Sequence, residues 1–221
     1  MEALAHQFFN LDIMRQAWPI ILQGFGMTLL LCLAVIPLGL AGGLLVATAS
    51  LSKSRALRWT VKGFNDVFRA LPPLVVLILL YSGLPFAGIR LSPFAAVCLA
   101  FLLNNSSFYG EIYRAGIESV GRGQWEAARS TGLSAPHTFA YVILPQAVRN
   151  VIPDLVSNTV EVVKLTSIAS VVSFTELLYA ADMARSVTFN TSPIVLAALI
   201  YLVILWPVVR LMSRLEHRVA A

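Results

Sequence analysis

A carboxylate and an ammonium stand three residues apart in a largely apolar stretch, Glu161 and Lys164 in EVVKLTS. On a helix that spacing puts both groups on one face, where they can neutralise each other at a seam or line a polar path. Thr166 and Ser167 continue the polar character. A second run, Asn104-Asn105-Ser106-Ser107, offers hydrogen-bonding groups that can either hold helices together or, through Asn104 and Ser107, meet a bound molecule. Arg69 stands just ahead of an uncharged stretch, where it can snorkel, pair with Asp66 or stand at a gate. Other chemistries lack their parts. His6, His137 and His217 are scattered and form no metal pattern, and Cys32 and Cys98 lie in apolar runs as small hydrophobes. The sequence has no G-x-x-x-x-G-K-[ST] phosphate loop and so no ATP hydrolase of its own.

The elements that carry these residues must be membrane helices. The chain has 221 residues, of which 58% are hydrophobic and only 12% charged. Mean hydropathy is +0.79. A soluble domain carries about 25% charged residues, so this chain has too few to cover a water-facing surface. The expected fold is an all-α polytopic membrane protein forming one domain over residues 1–221. No charge occurs in 16–52, 70–89 or 186–209. Five transmembrane helices are expected, at about 20–49, 64–82, 92–112, 151–174 and 193–212. Trp18 and Pro19 sit where an interfacial anchor belongs. Gly39, Gly42 and Gly43 read as helix-packing contacts. The stretch 151–174 is interrupted by Asp154, Glu161 and Lys164, and it counts as a span because the topology fails without it. Asp154, beside Pro153, reads as a helix-start residue. The N-terminus lacks a basic segment followed by a short apolar core and makes a poor signal peptide.

The basic residues test this layout. Lys53, Arg55, Arg58 and Lys62, then Arg114, Arg122, Arg129 and Arg149, then Arg210, Arg214 and Arg218 put 11 of the 16 on one side. The other side holds only Arg15, Arg90 and Arg185. Positive residues favour the cytosolic face, so the N-terminus is expected outside and the C-terminus inside. The net charge of +5 is then a topology signal, and a nucleic-acid role falls away.

The longest segment outside the spans, about 113–150, reads as a helix, a break at Gly121–Gly123, a short helix ending at Gly132, and a further helical stretch opened by Ser134, Pro136 and His137. Within it Glu126-Ala127-Ala128, then Gly132, then Val142-Ile143-Leu144-Pro145 resembles the EAA loop of ABC-transporter membrane subunits. The flanks are similar to a narrower group, the polar amino acid uptake permeases of the histidine/glutamine type. Arg69-Ala70-Leu71-Pro72 resembles their R-G-x-P segment, with Ala70 where glycine is usual. Glu111-Ile112-Tyr113-Arg114-Ala115-Gly116-Ile117, Gly123-Gln124-Trp125 and Glu161-Val162-Val163-Lys164-Leu165-Thr166-Ser167 extend the resemblance over residues 17–218. Asn104-Asn105-Ser106-Ser107 is more polar than in many relatives.

The resemblance implies a type I ABC importer permease fold in the bacterial cytoplasmic (inner) membrane. It implies that Trp125, Glu126, Ala127, Ala128, Gly132 and Leu133 form a coupling element. In it the small residues allow close approach, Trp125 and Leu133 give apolar contact, and Glu126 gives a charge or a cap. The element would dock on a cytosolic ATP-binding cassette ATPase dimer, where ATP and Mg act, with no cofactor bound by this chain. A second permease subunit, an extracytoplasmic amino-acid-binding protein and an amino acid substrate complete the implied partners. An amino acid is a zwitterion, and Glu161 could accept its ammonium while Lys164 donates to its carboxylate. Two other readings are a secondary carrier, which no visible repeat supports, and a non-transporting scaffold.

Overall fold

The computed structural model describes residues 2–219, with side-chain surroundings for residues 3–4 and 6–211. The side chains of Arg214, Leu215, Glu216 and Arg218 therefore lie outside the described residues. Ten α-helices run in order: α1 Glu2–Phe8, α2 Leu11–Ser50, α3 Arg55–Ala70, α4 Pro73–Ile78, α5 Pro93–Ser119, α6 Arg122–Ser130, α7 Ala135–Thr138, α8 Leu144–Leu165, α9 Leu177–Thr188 and α10 Ser192–Val219. A π turn at Leu79–Gly83 and a 3-10 turn at Leu84–Ala87 extend α4. A second π turn, Phe139–Ile143, joins α7 to α8, and a 3-10 stretch, Thr166–Val172, extends α8. No strand occurs among the described residues.

Close pairs of side chains fix the helix directions. A Cβ added to Gly39 would lie 2.9 Å from Asn105 Cβ, and one on Gly43 would lie 2.4 Å from Tyr109 Cβ. Gly110 in turn faces Val46. The numbers rise together, so α2 and α5 run parallel. Tyr109 Oη bonds Thr159 Oγ1 at 2.8 Å, while Gly116 abuts Val151, so α8 runs antiparallel to α5. Asn10 N–H donates to Ser192 Oγ at 2.9 Å and Asn190 Nδ2 donates to the His6 carbonyl at 2.9 Å, which puts the starts of α2 and α10 at one end. The main core joins Leu31 and Val35 of α2, Leu77 of α4, Phe101 and Tyr109 of α5, and Val162 of α8. A second core sets Leu177, Ala181 and Ala184 of α9 between Ile21 of α2 and Ala197 of α10.

The outer faces of α2 and α10 carry exposed Leu22, Leu29, Leu33, Leu45, Leu202 and Val203, as a lipid-facing surface requires. The fold is an all-α, multi-helix membrane fold. Among the described residues three helices are long and apolar enough to cross a membrane, 6–50, 135–172 and 192–211, and a fourth candidate is the pair 55–70 and 73–87. Five were expected, and two features account for the difference. The stretch 64–82, expected as one span, is bent by 101°. Leu71 and Pro72 are extended there (ψ 131° and 134°), because a residue before proline is driven out of the helical region. The stretch 92–112 lies within the 27-residue α5, which Asn104–Ser107, Glu111 and Arg114 make too polar to stand out. Asn104–Ser107 are buried among helices, and Glu111 and Arg114 pair with each other. Asp154 is also corrected. It lies inside α8, whose helical run begins at Ala135 and carries Pro153 within it.

Candidate functional site

The loop between α5 and α8 is built around Trp125. Its ring stacks on Phe139 at 6.2 Å, and both join Ile117, Val120, Val142, Ile143 and Ala147 in a small core. Trp125 and Ala128 are three apart and form the inward face of α6, with Ala128 only 8% exposed. Trp125 therefore packs within the chain, and the outward face falls to Glu126 and Ala127, both exposed. No side chain caps the start of α6 at Gly121, so Glu126 supplies a free charge rather than a cap. The helix stops because Gly132 takes φ +88°, a left-handed conformation that glycine adopts freely. Arg129 Nη1 then donates to the Leu133 carbonyl at 2.6 Å and fixes the exit, leaving Leu133 half-buried. Two further bonds tie the loop to α8, from Gln146 Nε2 to Gln124 Oε1 at 3.4 Å and from Asn150 Nδ2 to Ser119 Oγ at 2.9 Å.

The same helical run, 135–172, carries Glu161 and Lys164. At 1.5 Å per residue they lie about 27 Å along the helix from Ile143. The two side chains pair with each other, and they are 59% and 49% exposed. Charges at membrane depth do not face lipid, so this face of α8 looks onto water or another subunit. Lys164 and Ser167 open onto a cavity of about 260 Å³ shared with Leu178, Ala198 and Tyr201. Thr166 is fully buried and its Oγ donates to the Val163 carbonyl at 2.6 Å.

The polar run of α5 is engaged differently. Pro72 has no N–H, so the Phe68 carbonyl loses its helical donor four residues on. Asn104 Nδ2 takes that place at 2.8 Å, and Asn104 is 3% exposed. Ser107 Oγ donates to the Asn104 carbonyl at 2.6 Å with no exposure at all. Ser106 meets Gly42 so closely that a Cβ there would fall 2.0 Å from its Oγ.

Arg69 is separate from both groups. Its partner is Glu111 at 3.7 Å rather than Asp66, and its guanidinium lies 5.7 Å from the Phe108 ring centroid. Glu111 also accepts from Asn65 Nδ2 at 2.8 Å and from Arg114 Nη2 at 2.7 Å. In the sequence only the family motif picked out Glu111, and Arg114 stood out there and in the count of basic residues. Their contact with Arg69 and Asn65 is long-range and gives no local signal.

Glu176 was missed altogether. It caps α9, accepting from Leu178 N and Tyr179 N, each at 2.8 Å, and it is fully buried. Burial pushes its carboxyl up to about 7, against the lowering effect of those two N–H groups and of the Tyr201 hydroxyl. Its one sequence signal is that it is the sole charge between Lys164 and Asp182. Among the described residues no cluster of His, Cys, Asp and Glu could hold a metal ion.

Comparison with known proteins adds three findings. Residues 39–221 match the model of the family described as the binding-protein-dependent transport system inner membrane component. Two Bacillus subtilis (strain 168) proteins are similar in sequence. The probable amino-acid ABC transporter permease protein YckA is 37% identical over 87% of this chain and 86% of its own. The probable glutamine ABC transporter permease protein GlnM is 35% identical over 95% of this chain and 97% of its own. The crystal structure of an amino acid ABC transporter with histidines matches with a TM-score of 0.87 at 35% identity, covering 93% of this chain and 96% of that one.

Proposed function

We propose a mechanism from one premise: the chain belongs to the family of binding-protein-dependent transport system inner membrane components. It is a non-catalytic membrane permease component of an ABC amino-acid import system. Family membership implies a partner ATPase, on which ATP and Mg act, and a solute-binding protein that delivers the amino acid from outside. In our reading the outward face of α6, with Glu126, Ala127 and the Gly132 turn, seats in the ATPase. The observation that carries this is the Trp125–Phe139 stack, because it joins α6 to the helical run that also bears Glu161 and Lys164. ATP-driven movement at the loop then displaces the polar pair along one helical run, 135–172.

The pair is the part of the pathway we assign to the substrate. Glu161 accepts the ammonium of a polar amino acid, and Lys164 with Ser167 meets its carboxylate. A second permease subunit faces α8 and encloses the pair, which explains why half-exposed charges are tolerated there. Asn104 and Ser107 we assign to packing, since Asn104 Nδ2 and Ser107 Oγ are engaged inside the chain and both residues are buried. Arg69 belongs to a clamp between α3 and α5.

Five crossings fit the helix directions. Parallel α2 and α5 require a return between them, and the bent α3–α4 unit is the segment available. Antiparallel α8 and the start of α10 beside that of α2 supply the fourth and fifth. The basic residues orient the set with the N-terminus outside and the C-terminus cytoplasmic, in the inner membrane.

The test is ATP-driven uptake in vesicles containing the permease, its ATPase and its binding protein. Gly132→Val, which strains a left-handed residue, and Trp125→Ala should each abolish substrate-stimulated ATP turnover while the protein still assembles in the membrane. Normal stimulated turnover in both would overturn the coupling assignment.

A further inference from the structure

One cavity of about 290 Å³ lies between the end of α2, α3 and the C-terminal part of α5, away from the loop and from the Glu161–Lys164 pair. Basic Arg58, Lys62, Arg69 and Arg114 face acidic Asp66 and Glu111 across it, an excess of two positive charges. Arg114 is neutralised by Glu111 and by Glu118, at 2.7 and 2.6 Å. Arg58 donates only to the carbonyls of Ser52 and Lys53, at 3.0 and 3.5 Å, and Lys62 lies 5.4 Å over the Trp59 ring with no carboxylate partner. The cavity therefore keeps cationic groups that no anion of the described residues satisfies. Asn65, 5% exposed and in the same lining, donates to Glu111 but leaves its Oδ1 without any donor. The site thus seats a negative charge and asks for one hydroxyl or ammonium beside it.

The wall of the cavity is a membrane-surface helix. On α3, Val61 and Asn65 are buried, while Leu57, Trp59 and Val67 are exposed among basic residues. The helix turns by 101° from the segment that follows. An amphipathic helix with Lys, Arg and Trp, lying across the direction of its neighbour, belongs in the headgroup layer.

We infer that this cavity binds the headgroup of an anionic phospholipid that carries a hydroxyl, of the phosphatidylglycerol class. The phosphate is held by Arg58 and Lys62, with Arg69 adjacent, and a headgroup hydroxyl donates to Asn65 Oδ1. Leu57, Trp59 and Val67 lie against the acyl chains. The inference does not depend on which amino acid is carried or on which face is cytosolic.

Native mass spectrometry of the purified transporter complex tests it, titrating phosphatidylglycerol against phosphatidylcholine, with inorganic phosphate as competitor. Phosphatidylglycerol should be retained over phosphatidylcholine, and Arg58→Gln with Lys62→Gln should weaken that retention roughly tenfold or more. Lys62→Gln alone, at an exposed side chain, gives a smaller loss and serves where the double variant fails to assemble. Equal retention of the two lipids, or retention unchanged in the variants, would overturn the site. Complete displacement by inorganic phosphate would reassign it to soluble anions. Release of the ATPase subunit by the variants, with lipid retention intact, would reassign it to a protein contact.

Discussion

The middle of α5 and the end of α8 both place polar residues at membrane depth, and they dispose of them in opposite ways. In α5 Asn104, Ser106 and Ser107 each find a partner inside the chain, with Asn104 replacing a donor that Pro72 cannot supply, and Asn105, whose Nδ2 has no partner, is sealed in at 2% exposure. In α8 Glu161 and Lys164 have only each other and stay half exposed. A polar group in a membrane helix is available to a ligand when its own chain leaves it uncovered. Residue type does not separate the two cases, whereas the carbonyls and hydroxyls within reach do.

The largest effect is expected at the seam that holds α5 in place. Gly43→Leu drives a side chain into Tyr109 and the Gly110 backbone and should cost ~3 kcal/mol or more, read as lost monodisperse protein and a lowered melting temperature in detergent. Gly26→Leu, with nothing within 4 Å, is the control. Equal melting of the two variants would mean that the α2–α5 contact has slack.

The contrast itself is broken or kept by a paired experiment. Asn104→Leu orphans the Phe68 carbonyl and should lower stability by ~1–3 kcal/mol while leaving the KM for uptake unchanged. Glu161→Gln and Lys164→Gln should do the reverse, raising the KM for uptake about tenfold with little change in melting, since an exposed ion pair contributes about 0–1 kcal/mol. A raised KM in Asn104→Leu at full stability would show that α5 also meets the substrate.

The smallest effect sharpens the comparison with a third case, a buried carboxylate without a cation. Glu176 in the folded chain holds its proton up to about pH 7, against 4.5 ordinarily. Between those values the folded form binds more protons than the unfolded one, so stability falls as pH rises through the window and levels off above it. Melting temperature against pH should show that slope, and Glu176→Gln should flatten it. A slope unchanged in the variant would assign the dependence to other groups.

Much of this was legible in the sequence. Gly39, Gly42 and Gly43 announced close packing because small residues at these spacings make a stripe on one helix face, and neighbouring side chains do meet all three. Gly132 announced the end of α6 for a local reason, its left-handed backbone. What escaped the sequence was long-range. Hydropathy reads a residue as if lipid surrounded it, so it could not say whether Asn104 holds helices together or meets a bound molecule. Asp66, three residues before Arg69, was the obvious partner by spacing, yet the partner is Glu111, brought in by the α3–α5 contact. Pro72 and Pro73 could be read as a break, but their types alone do not give its 101° angle. Glu176 resembled an outer-loop residue because nothing local says that α9 folds back between α2 and α10.

The glycine seam between α2 and α5 has a mechanical consequence. At 2.0 to 2.9 Å from the would-be Cβ atoms it has no clearance, and interfaces packed so tightly do not deform gradually. The two helices therefore travel as one piece, a stator against which other parts turn. Compliance must lie where the backbone is irregular: at the 101° turn between α3 and α4, at the π turns, and around α9, where Ser173 ahead of the helix and Phe189 behind it are left-handed. A machine with a stiff spine turns at its joints, and α9, with a left-handed residue ahead of it and another just behind it, is hung between two of them.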